Sequence, residues 1–283
     1  MNKSEDSAVI KYYKTKESLW GYNLILKGVK HFGYYPKGKE NISIADAQEI
    51  MSIEVGKQLN LSKDSLVLDA GCGEGPVSVA IAQKYKYRLE GLDLLDFNVE
   101  HANERAKKAG VSDRAHFQVG NYSKLDFPDN HFDGVFMVET FVHAPDYKKV
   151  LKEIRRVLKP GGKLVIAEYT KSPDEELTPR QRRILENIIV FSSMPSFRYF
   201  INDKFAELIS AEGFNDVKTS NISQRIEPMT KKLYYIAIIP YQIIRLFKLQ
   251  KHFINTMWGV YHYPYNKIGI WRYNITTCTK PNR

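Results

Sequence analysis

The chain has 283 residues, 43% of them hydrophobic and 26% charged. These proportions belong to an ordinary folded protein and exclude a disordered, collagenous or multi-span membrane chain. Its net charge of +10 is unevenly placed: Val217 to Arg283 holds eleven Lys and Arg against one acid, Glu227, whereas the first 216 residues carry 31 of each sign. The basic quarter also holds eleven aromatic residues. Such a segment is either a solvated basic face or the seat of an anionic partner, such as a membrane surface, a phosphorylated ligand or nucleic acid.

Two cysteines, Cys72 and Cys278, cannot build a disulfide framework or a zinc site alone, so no metal centre is expected. The start, Met1 to Lys14, lacks the apolar run of a signal peptide. The longest apolar candidate, Leu233 to Phe247, is interrupted by Pro240, Gln242 and Arg245 and falls short of a spanning helix. A reducing, cytoplasmic location is the expectation.

In chain order, residues 1 to 40 are rich in aromatic and basic side chains. Residues 43 to 60 read as a helix, with Ser43 and Asp46 near its start and Ile50, Ile53, Val55 and Leu59 on an apolar face. A strand–helix alternation follows. Strands are predicted over 65–68, 87–92, 115–119, 132–138 and 163–169. Helices are predicted over 76–85, 98–109 and 147–158. Pro76 fits the first turn of its helix and Gly110 closes the next. Repeated β–α units imply an α/β fold, a parallel sheet with helices on both faces. Beyond Tyr169 the spacing predicts helices over 178–191 and 202–211 and strands over 216–223 and 267–279. Between the last two strands, 226–266 reads as a cap insertion. The expected units are an N-terminal helical cap (1–60), a core (61–225), the cap insertion (226–266), and a last core strand with tail (267–283).

The strongest local signal is Val67-Leu68-Asp69-Ala70-Gly71-Cys72-Gly73-Glu74-Gly75-Pro76, which follows a strand and opens a helix. Alternating glycines let the backbone pass close to a ligand at the carboxyl end of a parallel strand. The spacing is G-x-G-x-G, not the G-x-G-x-x-G of a dinucleotide site, and no Gly-Lys-Ser/Thr follows as in a P-loop. A carboxylate at Asp69 suits a cationic ligand group better than a pyrophosphate.

These residues resemble the first motif of class I S-adenosylmethionine-dependent methyltransferases. The resemblance runs through about 65–170, with Gly91-Leu92-Asp93, Gly120-Asn121-Tyr122, Phe127 to Asp133 and Leu158 to Leu164 in the expected order. It implies a Rossmann-like, seven-stranded, mostly parallel sheet that binds S-adenosylmethionine. It assigns cofactor contacts to Asp69, Gly71, Gly73, Gly75, Asp93, Asn121 and Tyr122. Asp93 would accept from the vicinal ribose hydroxyls. Asn121 stands where the family usually has an acid beside the adenine.

Val138-Glu139-Thr140-Phe141-Val142-His143-Ala144-Pro145-Asp146 is similar to sterol 24-C-methyltransferases. Trp20-Gly21 with His31-Phe32-Gly33-Tyr34-Tyr35 is similar to tocopherol-type and amino-acid N-methyltransferases, in which this segment folds over the cofactor. The sterol-binding aromatic signature is not reproduced. The resemblance implies methyl transfer to a small, hydrophobic acceptor, prenyl-derived or a secondary metabolite. The alternatives are N- or O-methylation of a small polar metabolite, or a catalytically silent cofactor-binding protein. Glu139 and His143 are the candidate bases, and Trp20, Tyr34, Tyr35 and Tyr241 the candidate cap or substrate residues. The alternative roles are a helix cap for His143 and a contact to the cofactor or to an N-terminal cap residue for Glu139. Tyr12 and Tyr13 stay unassigned. Nucleic acid is disfavoured, since nothing after the fourth strand matches a base N6-methyltransferase. Peripheral membrane contact is the expectation for the basic C-terminal segment. Its apolar stretch 233–247 has basic flanks and is read either as a membrane-interface helix or as a buried cap helix.

Overall fold

The computed structural model describes residues 3–15, 17, 26 and 28–282, and all that follows concerns those residues. A seven-stranded sheet forms the centre, with β1 (Leu66–Ala70), β2 (Arg88–Asp93), β3 (Ala115–Val119), β4 (Phe132–Val138), β5 (Leu158–Lys171), β6 (Asn215–Asn221) and β7 (Trp271–Thr279). Their order across the sheet is β3-β2-β1-β4-β5-β7-β6. β1 pairs in parallel with both β2 and β4, and only β7 runs antiparallel to its neighbours. The chain leaves β1 toward one edge and returns at β4 to build toward the other. The carboxyl ends of β1 and β4 therefore flank the crevice where open α/β sheets bind ligands. The apolar runs of the inner strands are covered on both faces, with Val67, Leu68, Phe136 and Ile166 fully buried.

The flanking helices are α1 (Lys3–Tyr13), α2 (Ile44–Leu59), α3 (Pro76–Tyr85), α4 (Asp96–Lys108), α5 (Tyr147–Val157), α6 (Pro179–Phe191) and α7 (Phe205–Ala211). Sequence chemistry sets several ends. The Ser43 hydroxyl accepts from the Asp46 amide at the start of α2. Thr178 and Gln181 form a reciprocal capping box on α6. Several predicted boundaries move, two of them here for tertiary reasons. The helix expected from Asn202 starts only at Phe205, because the Asn202 amide joins Thr170 Oγ1 (2.6 Å) and the Gly269 carbonyl (3.0 Å). β5 begins at Leu158 and not at Lys163, because the Pro160-Gly161-Gly162 segment is absorbed as an irregularity in its pairing with β4.

The expected cap insertion is a pair of helices, α8 (Ser223–Leu246) and α9 (Ile254–Lys267). They approach closely at Gly259, where an added Cβ would stand 2.9 Å from the Ala237 methyl. The strand predicted from Lys267 therefore starts later, at Trp271, after Gly269 breaks α9 with φ +75°.

Candidate functional site

The glycine loop between β1 and α3 forms a cleft. Gly71, Gly73 and Gly75 have φ of +99°, +53° and +74°, values that side chains with a Cβ rarely adopt. The Gly71 and Cys72 amides both donate to the Leu92 carbonyl, at 2.9 and 2.8 Å, folding the loop back over β2. A Cβ at Gly71 would collide with the Thr140 side chain, whereas one at Gly73 would meet open space. Asp93, ending β2, accepts from the Gly73 amide through Oδ2, and from the Leu95 amide and the Asn98 side chain through Oδ1, each at 2.9 Å. A carboxylate offers about four lone-pair sites, so one on Oδ2 remains. Asp69 is buried beneath the loop, where its Oδ2 accepts from the Ser78 hydroxyl at 2.7 Å. Burial, with Asp93 adding to it, pushes its carboxyl up to about 7. On the far wall the Tyr122 hydroxyl donates to the Thr140 carbonyl (3.0 Å), and the Asn121 side chain accepts from the Ser123 amide (2.7 Å). Tyr122 lines the cleft and Asn121 does not. The N-terminal segment lies across this cleft through Val9, Tyr13, Gly28, Lys30 and His31, leaving about 80 Å³.

Beside it lies a chamber of about 1710 Å³, larger than the roughly 300–1,000 Å³ of common ligand pockets. One wall is a helical stripe of α8, Leu233, Ile236, Ala237, Pro240, Ile243 and Ile244, at the spacing of one face. The floor is aromatic: Phe32, Trp258 and His262 line it, Trp258 and His262 pack on the fully buried Trp271 behind them with centroids 4.2 to 5.5 Å apart, and Phe32 lies 4.7 Å from His262. His262 is buried with neither ring nitrogen partnered among the described residues, and burial pushes it down to about 3. At the mouth, Ile236, Ile243 and Phe253 are exposed, and the neighbouring Ile239, Leu246 and Phe247 are 72%, 76% and 65% exposed. Arg245, Lys248 and Lys251 stand exposed among them.

Five residues line both spaces: Tyr13, Lys30, His31, Glu139 and His143. Glu139 directly follows β4, in the left-handed region at φ +51°. Register explains its partners. Tyr169 of β5 lies opposite Tyr273 of β7, and the Glu139 amide donates to Ala167 of β5. Both phenols therefore reach one carboxylate: Tyr273 donates to Oε1 at 2.8 Å and Tyr169 donates to Oε2. The Phe32 amide donates to Oε1 at 2.6 Å, fastening the N-terminal segment to the sheet. Burial raises the Glu139 carboxyl to about 7 against the lowering effect of these donors. His143 is held on both sides. Its Nδ1 lies 2.8 Å from the Ser193 carbonyl, which can only accept, so the proton sits there and Nε2 accepts from the Tyr13 hydroxyl at 3.0 Å. Burial pushes this imidazole down to about 4.

The helix-cap alternative for His143 fails, because Asp146 caps α5, accepting from the Lys148 and Lys149 amides. The contact of Glu139 to the N-terminal cap is present. Tyr34 and Tyr35 do not line the chamber. Their amides donate to the Ala47 and Arg225 carbonyls, and their rings lie under Arg225 and Lys232. Tyr241 also misses the chamber, since it sits on the next stripe of α8 and meets Tyr261 of α9 at 3.1 Å. Trp20 lies outside the described residues. Sequence reasoning missed Phe32, Tyr169, Tyr273, Trp258 and His262. Tyr169 and Tyr273 carried a usable signal as aromatic residues on facing core strands, but their convergence on Glu139 depends on register.

A methyltransferase domain model matches residues 68–166. The S-adenosyl-L-methionine-dependent Diels-Alderase iccD of Talaromyces variabilis is 32% identical over 97% of this chain and 95% of its own. The chain belongs to the S-adenosylmethionine-dependent methyltransferase family. A probable tocopherol O-methyltransferase of Oryza sativa subsp. japonica is 27% identical over 94% of this chain and 74% of its own, as the His31 to Tyr35 resemblance leads one to expect. Among solved structures, mycolic acid cyclopropane synthase CmaA1, complexed with SAH and CTAB, superposes with a TM-score of 0.80 at 18% identity, over 97% of this chain and 98% of that one. The family's cofactor is S-adenosylmethionine, and the cleft fits it in kind: a glycine cradle with open space at Gly73, a carboxylate with a spare acceptor site, and a buried carboxyl, Asp69, in no ion pair among the described residues.

Proposed function

We propose that this methyltransferase-family protein transfers a methyl group to a small, hydrophobic acceptor, prenyl-derived or a secondary metabolite. The observation that carries the reading is the 1710 Å³ chamber, aromatic and aliphatic in its walls, which shares five lining residues with the cofactor cleft. Bound in the cleft, S-adenosylmethionine supplies an activated methyl group, so the protein's work is mainly to position and to desolvate. The cradle of Gly71, Gly73 and Gly75 would hold the cofactor, with Asp69 offered to its cationic amino group and Asp93 to a ribose hydroxyl. Tyr122 borders the adenosine side, with Asn121 fixing the turn behind it. Glu139 acts as a latch: three donors from three parts of the chain converge on it and set the partition between cofactor and acceptor. His143 fixes Tyr13 in the same partition.

The exposed apolar mouth, ringed by Arg245, Lys248 and Lys251, rests on an anionic membrane surface from which an apolar acceptor enters. We read the chain as dividing functionally into an N-terminal cap, a core, a cap insertion (226–266) carried by the helix pair, and a closing strand.

A second reading has a specific observation behind it. A relative matching 97% of the chain, cap included, is named a Diels-Alderase. On that reading the chamber folds and cyclises a polyene while the cofactor stays unreacted. Incubation with S-adenosylmethionine across sterols, prenyl quinols, phenols, amino acids and a linear polyene carrying a diene and a dienophile separates the two. Methylated lipid or phenol with cofactor consumption supports transfer, whereas isomerisation without consumption supports cyclisation.

A further inference from the structure

The charges that line the chamber are balanced at its inner end and unbalanced at its mouth. Among the described residues five charged side chains line it: Lys11, Glu17, Lys30, Glu139 and Lys251. Three of them are spent within the protein. Glu139 takes its three donors. Glu17 accepts from the Asn255 and Thr256 amides at 3.2 and 2.9 Å, in the first turn of α9. Lys30 donates to Asn98 at 2.8 Å and stands 3.5 Å from Glu74. Lys11 and Lys251 remain, both exposed, and neither ammonium is in an ion pair or hydrogen bond among the described residues. Lys11 faces the chamber by helical phase, since Ala8, Lys11 and Tyr12 line it at positions i, i+3 and i+4 of α1. Lys251 stands two residues before Phe253 of the mouth and lines the chamber with it. The two lysines share one end, because the Tyr12 hydroxyl donates to the Asn255 side chain at 2.5 Å and so ties α1 to the segment that carries Lys251.

We propose that the acceptor is an anionic amphiphile, with a carboxylate or phosphate held at the mouth by Lys11 and Lys251 and an apolar body reaching inward to the partition. The inference rests on the methyl-transfer reading and names the substrate class of that site. Lysine suits the rim of an apolar chamber, because its stem packs on the lining while its ammonium stays in water. A neutral acceptor leaves the two ammoniums unopposed, whereas an anion opposes both. Farther in, the anion would meet the aliphatic stripe of α8, the aromatic floor and the Glu139 carboxyl, and the lysine there, Lys30, already faces Glu74. Burying it in those surroundings without a counter-charge is costly. The charged group therefore stays outermost, and the atom that takes the methyl lies at the apolar end of the molecule, next to the cofactor cleft.

The test measures binding of decanoate, decyl phosphate and decanol to the full chain by calorimetry, each below its micelle concentration and with S-adenosylhomocysteine present. Two exposed ion pairs should favour either anion over the alcohol by about tenfold. That preference should shrink in about 1 M salt, which screens charges beyond about 3 Å. Lys11→Glu combined with Lys251→Glu should erase the preference and leave decanol binding as in the wild type, which also reports that the variant is folded. Lys14→Glu, an equal charge change at an exposed residue outside the chamber lining, should keep it. Sedimentation with phosphatidylglycerol vesicles separates a lipid headgroup from the acceptor's own anion. A double variant that loses vesicle binding yet keeps the preference for anions assigns the lysines to the membrane surface and overturns the proposal. Equal wild-type binding of anions and alcohol, binding of none of the three, or a preference erased as fully by Lys14→Glu overturns it too. Methyl transfer to neutral acceptors alone overturns it while leaving methyl transfer standing, and no transfer to any acceptor, anionic or neutral, overturns the methyl-transfer reading itself.

Discussion

Replacing Glu139 with glutamine should leave the partition intact yet change how stability depends on pH. The carboxyl is buried and raised from its ordinary 4.5 to about 7, chiefly by desolvation. Between those values the unfolded chain has released its proton and the folded chain has not. The folded state binds more protons, so the wild type loses stability as pH rises through this window. The rise from 4.5 to about 7 corresponds to about 3 kcal/mol, lost between those pH values. The glutamine variant has no such proton. It should match the wild type within about 1 kcal/mol at pH 5 and exceed it by about 2–3 kcal/mol at pH 8, relative to that baseline. Alanine behaves differently. It orphans the Phe32 amide and the Tyr169 and Tyr273 hydroxyls, each costing about 1–3 kcal/mol when left buried and unpaired. Urea unfolding of the three proteins at pH 5, 6, 7 and 8 reads both effects. A constant offset between glutamine and wild type across this range would refute the raised carboxyl. An alanine variant as stable as the glutamine one would refute the latch.

The remaining predictions concern other parts of the site. Gly71→Ala places a Cβ against Thr140 at φ +99° and should abolish the thermal shift by S-adenosylmethionine, whereas Gly73→Ala, facing open space, should keep a reduced one; equal effects would remove the steric argument. His262 is held down to about 3, so the unfolded chain takes up its proton first and the wild type loses stability as pH falls below 6.5. His262→Phe should therefore gain on the wild type by about 3 kcal/mol between pH 6.5 and 4 in thermal or urea unfolding, and an unchanged difference would contradict the unpartnered buried imidazole. Ile239→Asp with Leu246→Asp, both on the exposed mouth, should cut sedimentation with anionic phosphatidylglycerol vesicles at least tenfold while leaving Tm within a few degrees. Undiminished sedimentation would remove the mouth from membrane docking.

How much of this was legible in the sequence follows from which interactions are local. The strand–glycine–helix unit at Val67 to Pro76 is written in consecutive residues, so its elements and the φ-positive glycines could be read directly. Helix starts with a side-chain cap, such as Ser43 and Thr178, were equally legible. The partition was not. Glu139 was marked by its place after a strand, but its partners come from residues 32, 169 and 273, joined by sheet register and by the path of the N-terminal segment. Tyr34 and Tyr35 looked as suitable for the chamber as Phe32 does. Only the Ala47 and Arg225 pairings decide which rings turn away. Tyr241 was picked for its aromatic character, whereas helical phase assigns the chamber to the stripe running from Leu233 to Ile244. The boundary shifts at Asn202 and Lys163 share a cause, since side chains and glycines there serve tertiary contacts that override local preference.

The most direct test of the account is the fate of the donor's methyl group. The protein is supplied with S-adenosylmethionine carrying an isotopically labelled methyl and with a mixed panel of prenyl quinols, sterols, phenols and amino acids, and the products are resolved by mass spectrometry. The account predicts label on an apolar acceptor, with S-adenosylhomocysteine formed in equal amount. Label found only on small polar amines, or an isomerised acceptor with the cofactor unconsumed, would contradict it.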